Sequence, residues 1–186
     1  GYEKTVIDNR EGKPGTPPPK APKGEVFGKY IKNRLLGTGG MGDVWKAWDT
    51  ELERWVAIKF LRGEDSKDLA RFRREAQTAA KLTHPGITAI YEAGENFIVM
   101  QFIEGNSLSN LPLGDYRLIA SVMRQTAEAL HFAHQNGIIH RDIKPANILF
   151  QENKETNSPE KQYEVFLTDF GLAKPMDVDS SLSVTG

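Results

Sequence analysis

The 186-residue chain has no cysteine, almost no net charge and no long apolar run. Without cysteine it forms neither a disulfide nor a thiolate metal site, which fits a reducing cytoplasm. A formal net charge of -1, with basic residues scattered along the chain, gives no positive field for nucleic acid or an anionic membrane. No apolar run approaches the roughly 20 residues of a membrane span, and the polar start is unlike a signal peptide. These absences favour a cytoplasmic chain that itself binds neither nucleic acid nor membrane, while a longer parent protein could still be anchored in a membrane.

Residues 1–24 differ in composition from the rest of the chain. They contain five of the ten prolines and few apolar residues, whereas the whole chain is 39% hydrophobic. Such a segment favours extended polyproline II structure and cannot bury a core, so it is interpreted as a linker. The alternative is a docking segment in which Thr5, once phosphorylated, would be recognised by a partner.

From Tyr30 onward the chain contains short segments in which apolar and polar residues alternate. The alternation is clearest over residues 43–49 and is followed by a more continuously apolar stretch over 55–60. Two further strands are predicted around 87–93 and 96–102. The pattern predicts a twisted antiparallel sheet.

Two longer segments repeat apolar residues at spacings of three and four, as amphipathic helices do. The first follows Asp65 or Ser66, either of which can cap it, and extends to about Leu82. The second spans residues 116–136 and is stopped by Gly137. The predicted apolar faces are Leu69, Phe72, Ala76 and Ala79 on the first helix, and Leu118, Val122, Met123, Thr126, Leu130 and Ala133 on the second.

Gly37, Gly39 and Gly42 have the spacing G-x-G-x-x-G. In dinucleotide-binding folds this spacing opens a helix, whereas here residues 43–48 alternate as a strand. The motif therefore predicts a hairpin flap whose backbone amides can approach phosphates. A dinucleotide-dependent oxidoreductase is disfavoured on the same ground.

Lys59 ends an apolar strand, and Glu75 lies at the margin of the apolar face of the first helix. A lysine at a strand end is on its own most often solvated. A carboxylate at a packed face is costly unless it is paired, and Lys59 is a suitable partner. A lysine held in this way would direct its ammonium group at phosphates.

Residues 140–147 read HRDIKPAN, and Asp169 begins the sequence DFG. Together with the glycine flap and the lysine strand, these motifs resemble, in order, the signature set of the eukaryotic-type protein kinases. The sequence of these motif segments is most similar to the bacterial, PknB-like serine/threonine kinases. The resemblance implies an α+β protein-kinase-like fold: a five-stranded antiparallel sheet with one helix, and then an incomplete helical lobe. The implied organisation is a linker (1–24), a first lobe with the hinge (25–103) and part of a second lobe (104–186).

The resemblance also implies ATP with Mg²⁺ as cofactors, Mn²⁺ being an alternative ion, and a role for each motif. Asp142 would orient the substrate hydroxyl, Lys144 would offset charge on the phosphoryl group, and Lys59 with Glu75 would hold the nucleotide phosphates. Asn147 and Asp169 would bind the metal. The implied nucleotide-binding residues are Gly37, Gly39, Gly42, Val44, Ala57, Lys59, Met100, Gln101, Ile103 and Leu149.

Two further motif residues are assigned other roles by the same resemblance. His140 is expected to organise the backbone and pack against Phe170 rather than to transfer protons. Arg141 resembles the arginine that pairs with a phosphorylated activation segment. The candidate phosphorylation sites are Ser180, Ser181, Ser183 and Thr185.

The implied function is ATP-dependent phosphorylation of serine and threonine hydroxyls on proteins, in bacterial signalling. A complete kinase continues beyond the DFG segment into a peptide-binding platform, so the resemblance implies a shortened domain. We therefore expect the helix over 116–136 to expose an apolar face and the chain to self-associate through it. The alternative function is that of an ATP-binding scaffold without turnover.

Overall fold

The computed structural model places five stretches of the chain. Most of the predicted linker over 1–24 lies outside these stretches, as do Thr5, Gly171 and the four candidate phosphorylation sites. The described residues are 22–40, 42–62, 66–110, 116–153 and 163–170.

The chain divides into two compact units. The first comprises Gly1–Leu69 and Ala89–Phe102, and the second comprises Ala70–Thr88 and Ile103–Gly186. One division falls between Phe102 and Ile103, one residue before the predicted end of the first lobe at residue 103. Another falls between Leu69 and Ala70, inside the first helix, whereas the resemblance implies that this whole helix belongs to the first lobe. The predicted lobe boundaries stay a prediction.

An antiparallel sheet forms the described part of the first unit, with the strand order β1-β2-β3-β4-β6-β5. Five strands were predicted, whereas the sheet has six within the described residues. The additional strand, β1, is only three residues long and pairs with the start of β2, so it carries too few residues to show alternation. The strands are β1 (Glu25–Phe27), β2 (Tyr30–Gly39), β3 (Gly42–Asp49), β4 (Arg54–Leu61), β5 (Ile90–Ala93) and β6 (Phe97–Gln101).

One face of this sheet carries the core of the first unit. Strand residues two apart point to the same face, so the side chains of Val56 and Ile58 lie together, and both are fully buried. Phe27 closes the cluster, because its ring meets those of Phe60 and Phe97 edge to face with centroids 4.9 Å away. The buried cluster is Tyr30, Ala47, Val56, Ile58 and Val99.

Helix α1 (Ser66–Ala79) has the predicted apolar face. Phe72, Ala76 and Ala79 are buried and Leu69 is half-buried, which confirms the periodicity. The helix ends three residues before the predicted Leu82. The side chains proposed to cap its start lie outside the residues whose side chains are described.

Helix α2 (Tyr116–Gln135) buries Val122, Thr126, Ala129 and Ala133. The prediction that Met123 belongs to this face was wrong, because Met123 is 51% exposed. Adjacent helical residues differ by about 100° around the axis, so Met123 turns away from the side on which Val122 is buried. The apolar face that was expected to be exposed thus has Val122, Thr126 and Ala133 buried. Self-association itself stays a prediction.

Gly137 ends α2 as predicted. Its φ of +73° is the left-handed conformation that glycine adopts readily. The amide of Gly137 donates to the carbonyl of His134, and the amide of Ile138 donates to that of Ala133. This is the Schellman arrangement, which satisfies carbonyls at the end of the helix.

A small antiparallel sheet in the second unit connects to the motif segments. It consists of β7 (Asn106–Ser107), β8 (Ile148–Glu152) and β9 (Tyr163–Leu167), in that order. Ile148 pairs with Leu167, so the residue after Asn147 lies beside the last residue of β9. In the described part of the chain, no helix is long and apolar enough to cross a membrane.

Thr88 generates a prediction about stability. Its amide donates to the carbonyl of Leu167, yet its buried hydroxyl has no hydrogen-bond partner among the described residues. A buried unsatisfied hydroxyl costs roughly 1–3 kcal/mol. We expect Thr88→Val, which replaces the hydroxyl by a methyl group of similar size, to raise the Tm by a few degrees in thermal unfolding.

The matched control is Thr88→Ser, which keeps the hydroxyl and removes the methyl group, and which should lower the Tm. A lower Tm in Thr88→Val would show that the hydroxyl has a stabilising partner after all.

Candidate functional site

Asn147 organises the loop that contains the HRD motif. It ends a short 3-10 helix, Pro145–Asn147, and its side chain is buried. Its Nδ2 atom donates to the backbone oxygen of Asp142 at 2.8 Å and to Asp142 Oδ2 at 3.0 Å. Because both hydrogens of the amide are directed at Asp142, any metal ligation by Asn147 uses its Oδ1 atom.

Asp142 forms an ion pair with Lys144, whose Nζ atom lies 2.8 Å from Asp142 Oδ2. Burial acts to raise the pKa of Asp142, but hydrogen bonds from Lys144 and Asn147 and the positive charge of Lys144 outweigh it and lower the pKa. Asp142 is therefore ionised at neutral pH. A carboxylate of low pKa is a weak base, so it is better suited to accept a hydrogen bond from a hydroxyl than to remove its proton early.

His140 is 1% exposed and uses both ring nitrogens to hold backbone. Its Nδ1 atom accepts from the amide of Asp142 at 3.3 Å, so Nε2 carries the hydrogen and donates to the carbonyl of Thr168 at 2.8 Å. Burial lowers the pKa of His140, which favours the neutral ring that this arrangement needs. The ring also packs against that of Phe170 in a tilted arrangement, with the centroids 4.5 Å apart, which confirms the expected packing.

Asp169 follows a backbone that is hydrogen-bonded to the HRD loop. The amide of Thr168 donates to the carbonyl of Asn147 at 3.0 Å. Asp169 has φ +64° and Arg141 has φ +63°, and among the described non-glycine residues only Glu53 shares a positive φ. Strained backbone of this kind persists where the surroundings enforce it, and it is concentrated at functional sites.

The donor set of this loop suits Mg²⁺. Asn147 offers an amide oxygen and Asp169 a carboxylate, and hard cations prefer oxygen ligands. Among the described residues no group of three or more His, Asp or Glu side chains could hold a metal ion. Mg²⁺ usually keeps several waters and binds substrate phosphates, so an ion at Asn147 and Asp169 could take its other ligands from these.

Glu75 is paired within the second unit. Its Oε1 atom lies 3.6 Å from Arg141 Nη1. Burial raises the pKa of Glu75, and the charges of Arg71 and Arg141 oppose this only in part. Lys59 belongs to the first unit and is 5% exposed. The predicted pair between Lys59 and Glu75 therefore stays a prediction.

Four of the predicted nucleotide-binding residues share one face of the first unit's sheet. Val44 is the cross-strand partner of Lys59, and Ala57 is the partner of Met100. Directly opposed strand residues point to the same face, and Ala57 is two residues before Lys59. The sheet thus brings these four side chains together. Leu149 lies on β8 in the second unit, and its place beneath a base stays a prediction.

Gln101 connects the end of β6 to the segment before β5. Its amide donates to the carbonyl of Ala89 at 2.8 Å, and its side-chain Oε1 accepts from the amide of Ala89 at 3.4 Å. The side chain therefore holds its own sheet together. Ile103, two residues later, is 8% exposed.

The three glycines of the flap are not equivalent. A Cβ atom on Gly42 would lie 1.7 Å from the carbonyl oxygen of Phe60, and Gly42 has φ +140°. A Cβ atom on Gly37 or Gly39 would meet no atom of the described residues within 4 Å. Gly42 is therefore required by the sheet itself, whereas Gly37 and Gly39 leave room for a ligand to approach the backbone.

Comparison with known proteins agrees with this geometry. The sequence model for the protein kinase domain matches residues 30–185. The chain belongs to the protein kinase domain family. Serine/threonine-protein kinase PknA of Mycobacterium tuberculosis is 40% identical over 168 residues, which are 82% of this chain and 37% of PknA. Serine/threonine-protein kinase PknB of the same organism is 42% identical over 173 residues, which are 84% of this chain and 26% of PknB.

Solved kinase structures show the same fold. The PknI kinase domain of M. tuberculosis has a TM-score of 0.64 at 29% identity and is matched over 82% of this chain and 64% of that one. A double mutant of that domain has a TM-score of 0.68 at 27% identity, with 84% and 66% covered. The chain spans about two fifths or less of the curated relatives named above.

Several contacts of this kinase domain could not be expected from its motifs. The pair between Arg141 and Glu75 joins residues 66 positions apart, and either residue has other suitable partners in the sequence. Lys46 lies between the rings of Trp55 and Phe102, 4.3 Å from each centroid. Only its alternation with Val44 would have indicated that Lys46 lies on the same side of β3 as Val44.

The flap glycines give a prediction that separates folding from ligand binding. We expect Gly42→Ala to lower the Tm, because the left-handed backbone alone costs about 1–3 kcal/mol and the contact with Phe60 adds to it. Gly37→Ala and Gly39→Ala should leave the Tm within a few degrees but weaken binding of ATP, since a methyl group would occupy space beside the amides. Thermal unfolding and calorimetric titration with MgATP measure the two effects. Unchanged ATP affinity in both Gly37→Ala and Gly39→Ala would contradict the assignment.

Lys144→Met should raise the pKa of Asp142, because the ammonium group that lowers it is removed while burial remains. The pKa can be followed from the carboxyl carbon in an NMR pH titration, with Lys81→Met as the control variant. A lowered carboxyl pKa stabilises the fold above the unfolded pKa, and this stability is lost as pH falls through the folded pKa. Acid unfolding of Lys144→Met should therefore begin at higher pH. An unchanged Asp142 pKa would mean that Lys144 does not act on it in solution.

Proposed function

We propose that this chain carries the nucleotide-binding and catalytic residues of a serine/threonine protein kinase, which transfers the γ-phosphoryl group of ATP to protein hydroxyls. The observation that carries the proposal is the position of Asp142, which is ionised and held by Lys144 and Asn147. Asn147 in turn is bonded to the backbone that leads into Asp169. The carboxylate of Asp142, the ammonium group of Lys144 and the amide of Asn147 thus lie together in one loop.

In the proposed reaction a bond forms between the substrate oxygen and the γ-phosphorus, and the bond from that phosphorus to the bridging oxygen of ATP breaks. ADP leaves with the electron pair, and the hydroxyl proton passes to Asp142 or through it to solvent. The transition state is loose and rich in negative charge, so positioning and countercharge supply most of the catalysis. Asp142 orients the hydroxyl, and the ammonium group of Lys144 stabilises the charge on the moving phosphoryl.

Mg²⁺, or Mn²⁺ in its place, would supply countercharge to the nucleotide phosphates when bound. Asn147 Oδ1 and the Asp169 carboxylate would hold the ion. The face with Val44, Ala57, Lys59 and Met100 would take the nucleotide from the first unit.

Serine and threonine are the proposed acceptors. Lys144 stands in the sequence D-x-K-P-x-N, which resembles the pattern of serine/threonine rather than tyrosine kinases. The relatives PknA and PknB are named as serine/threonine-protein kinases. We place the activity in the cytoplasm, where ATP is available.

The test is transfer of labelled γ-phosphate from MgATP to the chain itself and to a generic protein with serine and threonine acceptors. Asp142→Asn should lower the transfer rate at least roughly 100-fold, because it removes a residue that acts on the proton. Glu95→Gln, an exposed change in a turn of the first unit, is the control and should transfer at the unmodified rate.

MgATP binding must be measured on the same samples. Binding retained in Asp142→Asn with transfer lost would support the proposal. Binding without transfer in the unmodified chain would favour the alternative, an ATP-binding scaffold. Labelling of tyrosine alone would overturn the acceptor assignment.

A further inference from the structure

Besides the backbone pairing of β2 with β3, the glycine flap is tied to the sheet by one carboxylate oxygen at which two side-chain hydrogen bonds meet. Thr38 Oγ1 donates to Asp43 Oδ1 at 2.8 Å, and Arg62 Nη2 donates to the same oxygen at 2.6 Å. Thr38 belongs to β2, Asp43 to β3, and Arg62 follows the end of β4. The Asp43 cluster, defined as these three residues, therefore links three neighbouring strands at the end of the sheet that carries the flap.

The cluster lies on the face of the sheet opposite the one that would receive a nucleotide. Thr38 and Asp43 are direct cross-strand partners, so their side chains share a face. Asp43 precedes Val44, and successive side chains on a strand point to opposite faces. Val44 shares its face with Lys59. Asp43 therefore does not touch a ligand on the Val44 face, and any effect it has on such a ligand passes through the backbone of the flap.

The flap is a segment that needs such an attachment. Gly37, Gly39 and Gly40 have no side chains to pack, and the pairing of β2 with β3 is irregular between Leu35 and Gly37. Glycine in a strand gives up more conformational freedom than other residues when it is ordered. Phosphate-binding amides are effective only if they are held in place before the ligand arrives. The glycines that let a ligand approach also remove the rigidity that binding requires.

We propose that Asp43 is a positioning residue, which holds the flap amides in the geometry that binds phosphate through its bonds to Thr38 and Arg62. This rests on the proposed function, because it concerns the nucleotide phosphates. If Asp43 acted only through its charge, its removal should strengthen ATP binding, because a negative charge near the phosphates would be lost. If Asp43 positions the flap, its removal should weaken ATP binding.

The two explanations separate in a calorimetric titration of the full chain with MgATP and with adenosine. Thr38→Val should raise the Kd for MgATP about three- to tenfold, the effect expected for one lost hydrogen bond, and Asp43→Ala, which removes both hydrogen bonds, should raise it at least as much. The Kd for adenosine, which has no phosphates, should not change. Thr38→Ser keeps the hydroxyl and should bind MgATP as the unmodified chain does.

The matched control is Glu25→Ala. It removes a surface ion pair of the same sheet, Glu25 with Lys32 at 3.1 Å, that is not part of the flap. Its Kd for MgATP should equal that of the unmodified chain.

Three results would overturn the inference. An unchanged or lower Kd for MgATP in Asp43→Ala would exclude positioning. An equal rise of the adenosine Kd would mean that the variants disturb the sheet rather than the flap. Absence of MgATP binding by the unmodified chain would overturn the proposed function as well. This result differs from the first two, in both of which the unmodified chain binds MgATP.

Discussion

The buried imidazole of His140 is the constraint on which the motif segments depend. Its Nδ1 atom accepts from the amide of Asp142, and its Nε2 atom donates to the carbonyl of Thr168. Only the neutral ring with its hydrogen on Nε2 can make both bonds. One side chain thereby holds the start of the HRD loop and the backbone before Asp169. A protonated ring would lose its acceptor and would place a charge where burial opposes it.

The bonds of His140 and Asn147 explain how strained backbone persists beside them. Arg141, with φ +63°, lies between His140 and Asp142, and Asp169, with φ +64°, follows Thr168. A non-glycine residue in this region costs on the order of 1–3 kcal/mol. Each strained residue has a neighbour that is hydrogen-bonded to His140 or Asn147, and these bonds offset the cost. Because of these positive φ angles, the side chains of Arg141 and Asp169 point in directions that differ from those in a regular strand or helix.

The secondary structure was largely predictable because it depends on local pattern. Strands β3 and β4 alternate or run apolar, and α1 repeats Phe72, Ala76 and Ala79 on one side, so each element is indicated by its own residues. Met123 was misplaced because it is apolar and adjacent to Val122, and composition cannot show which of two neighbours is buried. The pairing of Glu75 with Arg141 was beyond prediction, because several cations suit one carboxylate until the chain is folded.

Lys144 reconciles two demands on the site that would otherwise conflict. In the proposed function an anionic nucleotide binds beside this loop, and an ionised Asp142 without a partner would repel it. The ion pair with Lys144 cancels that charge in the resting protein. A lysine ammonium has three donors and a flexible stem, so it can contact a phosphoryl oxygen while still bonded to the carboxylate. The same contact keeps the pKa of Asp142 low, so the carboxylate remains available to accept from a hydroxyl. A neutral residue at position 144 would provide neither effect, which is why the pair is better understood as one unit than as two separate groups.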